Sequence, residues 1–453
     1  MWFRYIRYKK GIGTNGIRYI LVKFVGLTNN YYTMKRLFSV LCLLLVAVGL
    51  WAQQINAFDE LKATPKKAYG NDYPYNFGQP ELTKAPKGYK AFYISHYARH
   101  GSRYYWNDKL YKYLDTLMTT ANEKNLLTPE GKFFYDKFIE AKPELMTGIS
   151  ELTQLGWEQH QGIARRMYNN FPDVFKKGGN IYAISSLSGR CVMSMSAFCQ
   201  ELTQCNPALE IREESSRFTL NRVVPDDKEN PQLKPYTKMK ASYEKNRHLV
   251  PRDTTFNQRI IDRVFTSTEG LPNTRGIAGQ LRSLYTSLPN IYHEGMMGNI
   301  ITDEEIVKEW EASNLGSYSW IFGDQNKMLS VLEDFLFQAQ QVIDGKSDLV
   351  ASLRFGHDSC IGPLTALMGL NGADRDPEDP FEVKNIYQNW QTCKACNIQW
   401  IFYSKKNSSD VLIKCLLNES EASLPVKTDI FPYYHWSDVY QYYTDLIKSR
   451  SQE

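Results

Sequence analysis

The sequence is poor in several features that would decide its class. Its apolar run near the start, Leu37 to Trp51, has 15 residues, short of the roughly 20 that cross a bilayer as a helix. Its single CxxC, Cys393 to Cys396, has no second pair to complete a zinc site. A local disulfide or two packed thiols is the expectation there. No acid occurs among residues 1–52, which hold eight basic residues. Beyond them stand 46 basic residues against 49 acidic ones, so the formal charge of +5 becomes −3. The basic excess is therefore confined to the start of the chain and is no footprint for nucleic acid. No internal repeat and no low-complexity segment occurs.

What is present begins with a leader. Lys35 and Arg36 precede the apolar run, and Ala52 ends it as a small residue at a plausible cut. Residues 34–52 thus read as a bacterial-type secretory signal, and 1–33 as an upstream extension that plays no part in the fold. Cys42 lies in mid-run without the small residues that precede a lipid-modified cysteine. The expectation is an exported protein, periplasmic or secreted, with no stable membrane anchor once the signal is cut. Seven cysteines remain, an odd number, so at least one thiol stays free.

Five runs read as buried strands bounded by loops: Lys90–Tyr97, Ile181–Leu187, Leu349–Phe355, Ile398–Ser404 and Val411–Leu417. Helical patterns lie between them. Thr128-Pro129 marks one helix start, and Thr153 caps another that runs to Phe171. Strands alternating with helices predict an α/β fold with an open central sheet flanked by helices. Residues 205–344 are different. Ile260–Phe265, Ile277–Leu288 and Met328–Ile343 carry helical periodicity and strand signals are few. This stretch is expected to be a mainly helical cap insertion, which splits the α/β domain into 53–204 and 345–453.

Three charged sequences follow strand-like runs: Arg99-His100-Gly101-Ser102-Arg103, the stretch opening at Arg190, and His357-Asp358. In an open α/β sheet, ligands bind at the carboxyl ends of the strands. The three segments are thus expected to share one pocket. Its inventory suits phosphoryl transfer, in which catalysis is mainly positioning and charge stabilisation. Arginine forks match phosphate oxygens, a neutral imidazole can attack phosphorus, and a carboxylic acid can protonate an alkoxide. Gly101 would let the backbone run close to the phosphate. The blander reading makes Arg99 and Arg103 surface charges and His357-Asp358 an accidental dipeptide. His96 and His160 read as structural, His96 as a core histidine with its hydrogen bonds made. Tyr104, Tyr105 and Trp106 either line the pocket mouth or pack. The basic stretch within 234–252 either faces a polyphosphate or forms a solvated face.

At these motifs the chain resembles the histidine phosphatases of the second branch, which include histidine acid phosphatases, phytases and multiple inositol polyphosphate phosphatases. The resemblance runs from about Tyr93 to Glu419, through "ARHGSR", "ELTQLGWEQHQGIARRM", "SSLSGRCVMSMSAF", "LRFGHDSCIGPLTALMGL" and "VLIKCLLNES". It implies His100 as nucleophile, Asp358 as proton donor, and Arg99, Arg103, Arg190 and His357 as phosphate ligands. No carboxylate–histidine cluster with ligand spacing occurs, so no metal is expected, and no cofactor. Cys191 stands where the family usually has threonine, and His357-Asp358 where the inositol subgroup usually has His-Ala-Glu. The expected partner is a phosphorylated small molecule, with an inositol polyphosphate of the phytate type as the leading substrate. A broad-specificity acid phosphatase or a bisphosphoglycerate phosphatase is the alternative. A phosphoglycerate mutase fits less well, because Arg103 replaces its serine and the chain is long. A phosphate-binding protein without turnover would lack a site residue, and none is missing.

Overall fold

Residues 90–98 alternate little because both faces of their strand are covered: Tyr93, Ile94, Tyr97 and Ala98 are all fully buried. This strand lies near the middle of an eight-stranded mixed sheet in the computed structural model, which describes residues 56–225 and 236–451. The expected leader, 34–52, and the stretch 1–33 lie outside the described residues. The strands are β1 (Tyr89–Arg99), β2 (Gly179–Ser185), β3 (Leu209–Glu214), β4 (Leu349–Gly356), β5 (Asn397–Lys405), β6 (Val411–Leu417), β7 (Ser420–Ala422) and β8 (Tyr433–His435). The order is β3-β2-β4-β1-β5-β6-β7, with β8 also on β6. The sheet is open and helices flank it, as the strand and helix pattern predicted.

Its two halves run differently. β3, β2, β4 and β1 are mutually parallel, whereas β5 pairs antiparallel with β1 and β6 antiparallel with β5. The carboxyl ends of β1, β2 and β4 are therefore neighbours at one edge, with Arg99 opposite Gly356 and Ser185 opposite Phe355. The amino end of β5 reaches the same edge. β3 corrects one expectation. It falls inside the stretch 205–344 assigned to the cap, yet it is the edge strand of the main sheet. Its exposed residues Glu210, Glu213 and Arg212 hid the strand pattern.

The helices used below are α1 (Ala57–Ala63), α2 (Lys109–Glu123), α3 (Pro129–Thr147), α4 (Gln154–Asn170), α5 (Gly189–Cys205), α6 (Phe256–Val264), α7 (Ile277–Ser287), α8 (Asp303–Gly323), α9 (Leu329–Ile343), α10 (Asp358–Leu367) and α11 (Trp436–Ser451). α3 and α4 begin where expected, with the Thr128 and Thr153 hydroxyls accepting from Gly131 N–H and Gly156 N–H. α5 follows β2 and α10 follows β4, so both helix amino ends sit at the shared sheet edge. From α6 to α9 the chain is helical, and the stretch rejoins the sheet at β4. Among the described residues no helix is long and apolar enough to cross a membrane.

Candidate active site

Parallel register alone brings the expected residues together. β1 delivers Arg99 and His100, the β2–α5 turn delivers Arg190, and the β4–α10 turn delivers His357 and Asp358. The rings of His100 and His357 lie 5.6 Å apart, edge to face. Backbone bonds lock this corner: His100 N–H donates to Gly356 C=O at 3.0 Å and Ala395 N–H donates to His100 C=O at 2.9 Å.

His100 is almost fully buried, at 1% exposure. Its Nδ1 lies 2.9 Å from Gly101 C=O. A carbonyl only accepts, so Nδ1 carries the hydrogen and Nε2 keeps its lone pair. Burial, then Arg99, Arg103, His357 and Arg190, hold the imidazole well below its usual range. The ring is therefore neutral near pH 7, the state a nitrogen nucleophile requires.

The three arginines are anchored through some nitrogens and unpaired at others. Arg99 donates through Nη1 to Asn71 C=O (2.7 Å) and Thr392 C=O (2.8 Å), and through Nη2 to Asp358 Oδ2 (2.9 Å). Arg103 donates to Tyr104 C=O at 2.7 Å, and Arg190 to Ser150 Oγ at 2.8 Å. The Nε of each is buried without a partner. Among the described residues, these are the only arginine nitrogens in that state. Buried donors left unpaired are costly, and a phosphate would satisfy them. Burial, with Arg99 as the leading charge, lowers Arg103 to about 10.

His357 does not stand free. Arg190 Nη2 lies 3.3 Å from its Nδ1, which must accept, and so Nε2 donates to Ser186 Oγ at 2.9 Å. Burial and Arg190 lower His357 to about 4. Both ring nitrogens are engaged, so in this state the residue orients Arg190. Asp358 is held as a carboxylate. Burial pushes its carboxyl up, but Arg99, Lys394 and Arg103 together pull it below the usual carboxylate range. Ser359 N–H also donates to its Oδ1 at 2.9 Å.

Gly101 also makes a protein contact that the sequence did not reveal. A Cβ there would lie 2.4 Å from Gly156 C=O, and a Cβ on Gly156 would lie 2.2 Å from Ser102 C=O. The loop and the first turn of α4 touch backbone to backbone, which by itself leaves no room for a side chain at 101. Gln159, one turn on, clamps the same loop: Ser102 N–H donates to its Oε1 at 2.9 Å and its Nε2 donates to Ser102 Oγ at 3.0 Å. Sequence reasoning passed over Gln159 because its helix stripe was read through His160. His160 and His96 are buried against Phe198 and Phe355. Neither ring nitrogen of His96 has a hydrogen-bond partner among the described residues, which corrects the expectation for it.

Three other signals resolve. Cys393 and Cys396 are buried free thiols. Cys191 packs at 3.7 Å from His357 Nε2 and bonds Gly356 C=O at 3.2 Å, so the thiol fills the space beneath the second histidine. In the basic stretch of 234–252, Lys238 pairs with Asp324 at 2.8 Å and Lys245 with Glu378 at 3.6 Å, as an exposed face would. Trp106 is 59% exposed, while Tyr104 donates to Glu144 at 2.6 Å. The residue that sequence reasoning missed altogether is Lys394. It is buried beside Arg99, Arg103 and Asp358, and its ammonium meets Asp72 Oδ1 at 2.6 Å.

Comparison with known proteins agrees with this geometry. Residues 97–251 match the model of the histidine phosphatase superfamily (branch 2). No curated protein sequence matches. The fold is similar to that of a multiple inositol polyphosphate phosphatase of Bifidobacterium longum solved with inositol hexasulfate. That likeness has 19% identity and a TM-score of 0.64, and covers 82% of this chain and 96% of the other. It is also similar to the phytase from D. castellii, at 15% identity and TM-score 0.62, covering 85% of each chain.

Proposed function

We propose that this chain, with the branch 2 histidine phosphatase signature over 97–251 and the fold of such enzymes, is an exported phosphomonoesterase that works through a phosphohistidine on His100. One observation carries the reading: a buried neutral imidazole with Nε2 free, set among three arginines whose Nε donors lack partners. In the first step Nε2 attacks phosphorus. The N–P bond forms, the P–O bond to the leaving group breaks, and Asp358 passes its proton to the departing alkoxide. In the second step water attacks the phosphohistidine, Asp358 takes a proton from it, and phosphate leaves with His100 restored. Arg99, Arg103 and Arg190 hold the equatorial oxygens throughout. Asp358 is ionised before substrate arrives, so it must gain its proton as the dianionic phosphate engages Arg99 and weakens that arginine's hold on the carboxylate.

An inositol polyphosphate is the leading substrate. The flanks of His357 and the "LLNE" stretch support this, as does the likeness to a protein solved with inositol hexasulfate. The test is rapid quench with labelled inositol phosphate. Acid-labile, base-stable label should appear on the wild-type protein and none on His100→Ala. Label on serine or aspartate would overturn the assignment. Phosphate release from phytate, sugar phosphates, bisphosphoglycerate and p-nitrophenyl phosphate separates the substrate classes.

A further inference from the structure

Lys394 sits at the site edge because β5 runs antiparallel to β1. The turn that opens β5 therefore lies where β1 and β4 end. The side chain is 2% exposed. Its ammonium donates to Asp72 Oδ1 at 2.6 Å and to Asn71 C=O at 3.2 Å. Asn71 C=O also accepts from Arg99 Nη1 at 2.7 Å, so one carbonyl oxygen is shared by two cations. Arg99 then reaches Asp358 at 2.9 Å. A continuous path of hydrogen bonds thus runs Asp72–Lys394–Asn71–Arg99–Asp358. The strap that carries Asn71 and Asp72 is fixed from other sides. Thr392 Oγ donates to Asn71 Oδ1 at 2.7 Å, and Asn290 Nδ2 donates to Asp72 C=O at 2.7 Å. Asn290 Oδ1 in turn accepts from Ser102 Oγ at 2.7 Å, closing a ring back to the His100 loop.

We infer that Lys394, tethered by Asp72, is a positioning residue for the reaction: it seats Arg99 through the shared Asn71 carbonyl and adds a cation beside Asp358. This rests on the reading of Asp358 as proton donor. The charged groups facing Lys394 are Asp72, Asp358, Arg99 and Arg103, and those facing Asp358 are Arg99, Lys394, Arg103 and His357. Burial, then Arg99, lowers Lys394 to about 7. A neutral Lys394 removes one of the charges that oppose protonation of Asp358, so this ammonium governs how high in pH the acid still works.

The Asp72 side chain keeps 34% exposure, so its carboxylate stays within reach of water when Lys394→Met removes the ammonium. The test therefore uses Lys394→Met, which removes this one cation. Single-turnover phosphoenzyme formation from an inositol monophosphate is followed against pH, with p-nitrophenyl phosphate and Asp358→Asn as references. The alkaline limb should move to higher pH by on the order of one unit, and KM should rise several-fold as a cation is lost, with the thermal melt cooperative. In the Asp358→Asn background the same change should move no limb. Suppose Asp358→Asn discriminates the two substrates while Lys394→Met leaves the limb and KM at wild-type values. The donor then stands and the role of Lys394 falls. Should Asp358→Asn slow both substrates equally, the donor reading fails and takes this inference with it. A limb that shifts equally without Asp358 would also overturn it.

Discussion

Gly156→Ala should cripple phosphoenzyme formation although the residue touches no substrate. Its Cβ would lie 2.2 Å from Ser102 C=O and 2.7 Å from Ser102 N. That is about 1 Å short of ordinary contact, and the obstacle is backbone that cannot rotate away. Two outcomes are open to the molecule. The first turn of α4 can withdraw, or the loop from His100 to Arg103 can lift. The helix is held by its Thr153 cap and by buried Ile163, Ala164 and Met167. The loop is held too, by Gly356, Ala395, Ser194, Asn290 and Gln159, so whichever partner gives way the seat of His100 is strained. A displacement near 1 Å at a reacting group costs on the order of 10²-fold in rate. Gly162→Ala is the control on the same helix. There the Cβ meets only Arg166 Nη1, 2.9 Å away, on a guanidinium that Glu419 holds through Nε and Nη2, so the side chain need give only by a few tenths of an ångström, and alanine favours a helix interior by about 1 kcal/mol. Single-turnover quench with labelled substrate measures the first step, and thermal melting checks the fold. Gly156→Ala should lose about two orders of magnitude in phosphorylation rate while Gly162→Ala keeps it. Full activity in Gly156→Ala with an unchanged melt would refute the claim that this contact seats the nucleophile.

Two further outcomes follow from charge. Asp358→Asn keeps size but removes the transferable proton, so phosphoenzyme formation from an inositol phosphate should fall by about 10²–10⁴. From p-nitrophenyl phosphate, whose leaving group needs little help, it should fall far less; equal losses would assign Asp358 to phosphate positioning. Acid stability should be limited by buried neutral histidines. Burial lowers His160 to about 3 and, with Arg190, His357 to about 4. A depressed histidine stabilises the fold fully above its unfolded pKa near 6.5 and loses that contribution as pH falls toward the folded value. Each such group should cost about 2 kcal/mol between pH 7 and pH 5. Denaturant unfolding at the two pH values should show this loss, and His160→Leu should remove about 2 kcal/mol of it. An unchanged pH dependence in that variant would show that His160 is not buried neutral.

Much of the site was legible because it rests on local rules. A catalytic residue placed just after a buried strand needs only that strand's carboxyl end to face the pocket, and the runs ending at Tyr97, Leu187 and Phe355 were apolar enough to read. The Thr128 and Thr153 caps were legible for the same reason. What escaped depended on direction or on distance along the chain. The edge strand β3 exposes charged side chains, so no apolar run marked it. Lys394 could not be placed, because nothing in "KACNIQW" says whether the strand that follows runs with β1 or against it. Asp72 and Asn71 lie in a short turn-rich stretch with no pattern of its own. Gln159 looked like any polar residue on an amphipathic helix. The contact of Gly101 with Gly156 escaped because the two lie 55 positions apart.

The charge balance of the site explains why these overlooked residues matter. Around the reacting centre stand Arg99, Arg103, Arg190 and Lys394 on one side and Asp72 and Asp358 on the other. The histidines are neutral, so the balance is +2 with Lys394 charged, equal and opposite to a phosphate monoester dianion. Bound substrate brings the sum to zero. A proton added to Asp358 would make it +1, in a buried place where an uncompensated charge is costly. With Lys394 uncharged, the same protonated acid and bound dianion sum to zero. The site therefore favours a proton on Asp358 together with a neutral Lys394, and disfavours it with an ammonium there. An arginine at position 394 would keep its charge across the whole working range. A lysine, buried and crowded by cations, can give it up near pH 7. On this argument the identity of the residue, and not its mere positive sign, is what the acid step requires.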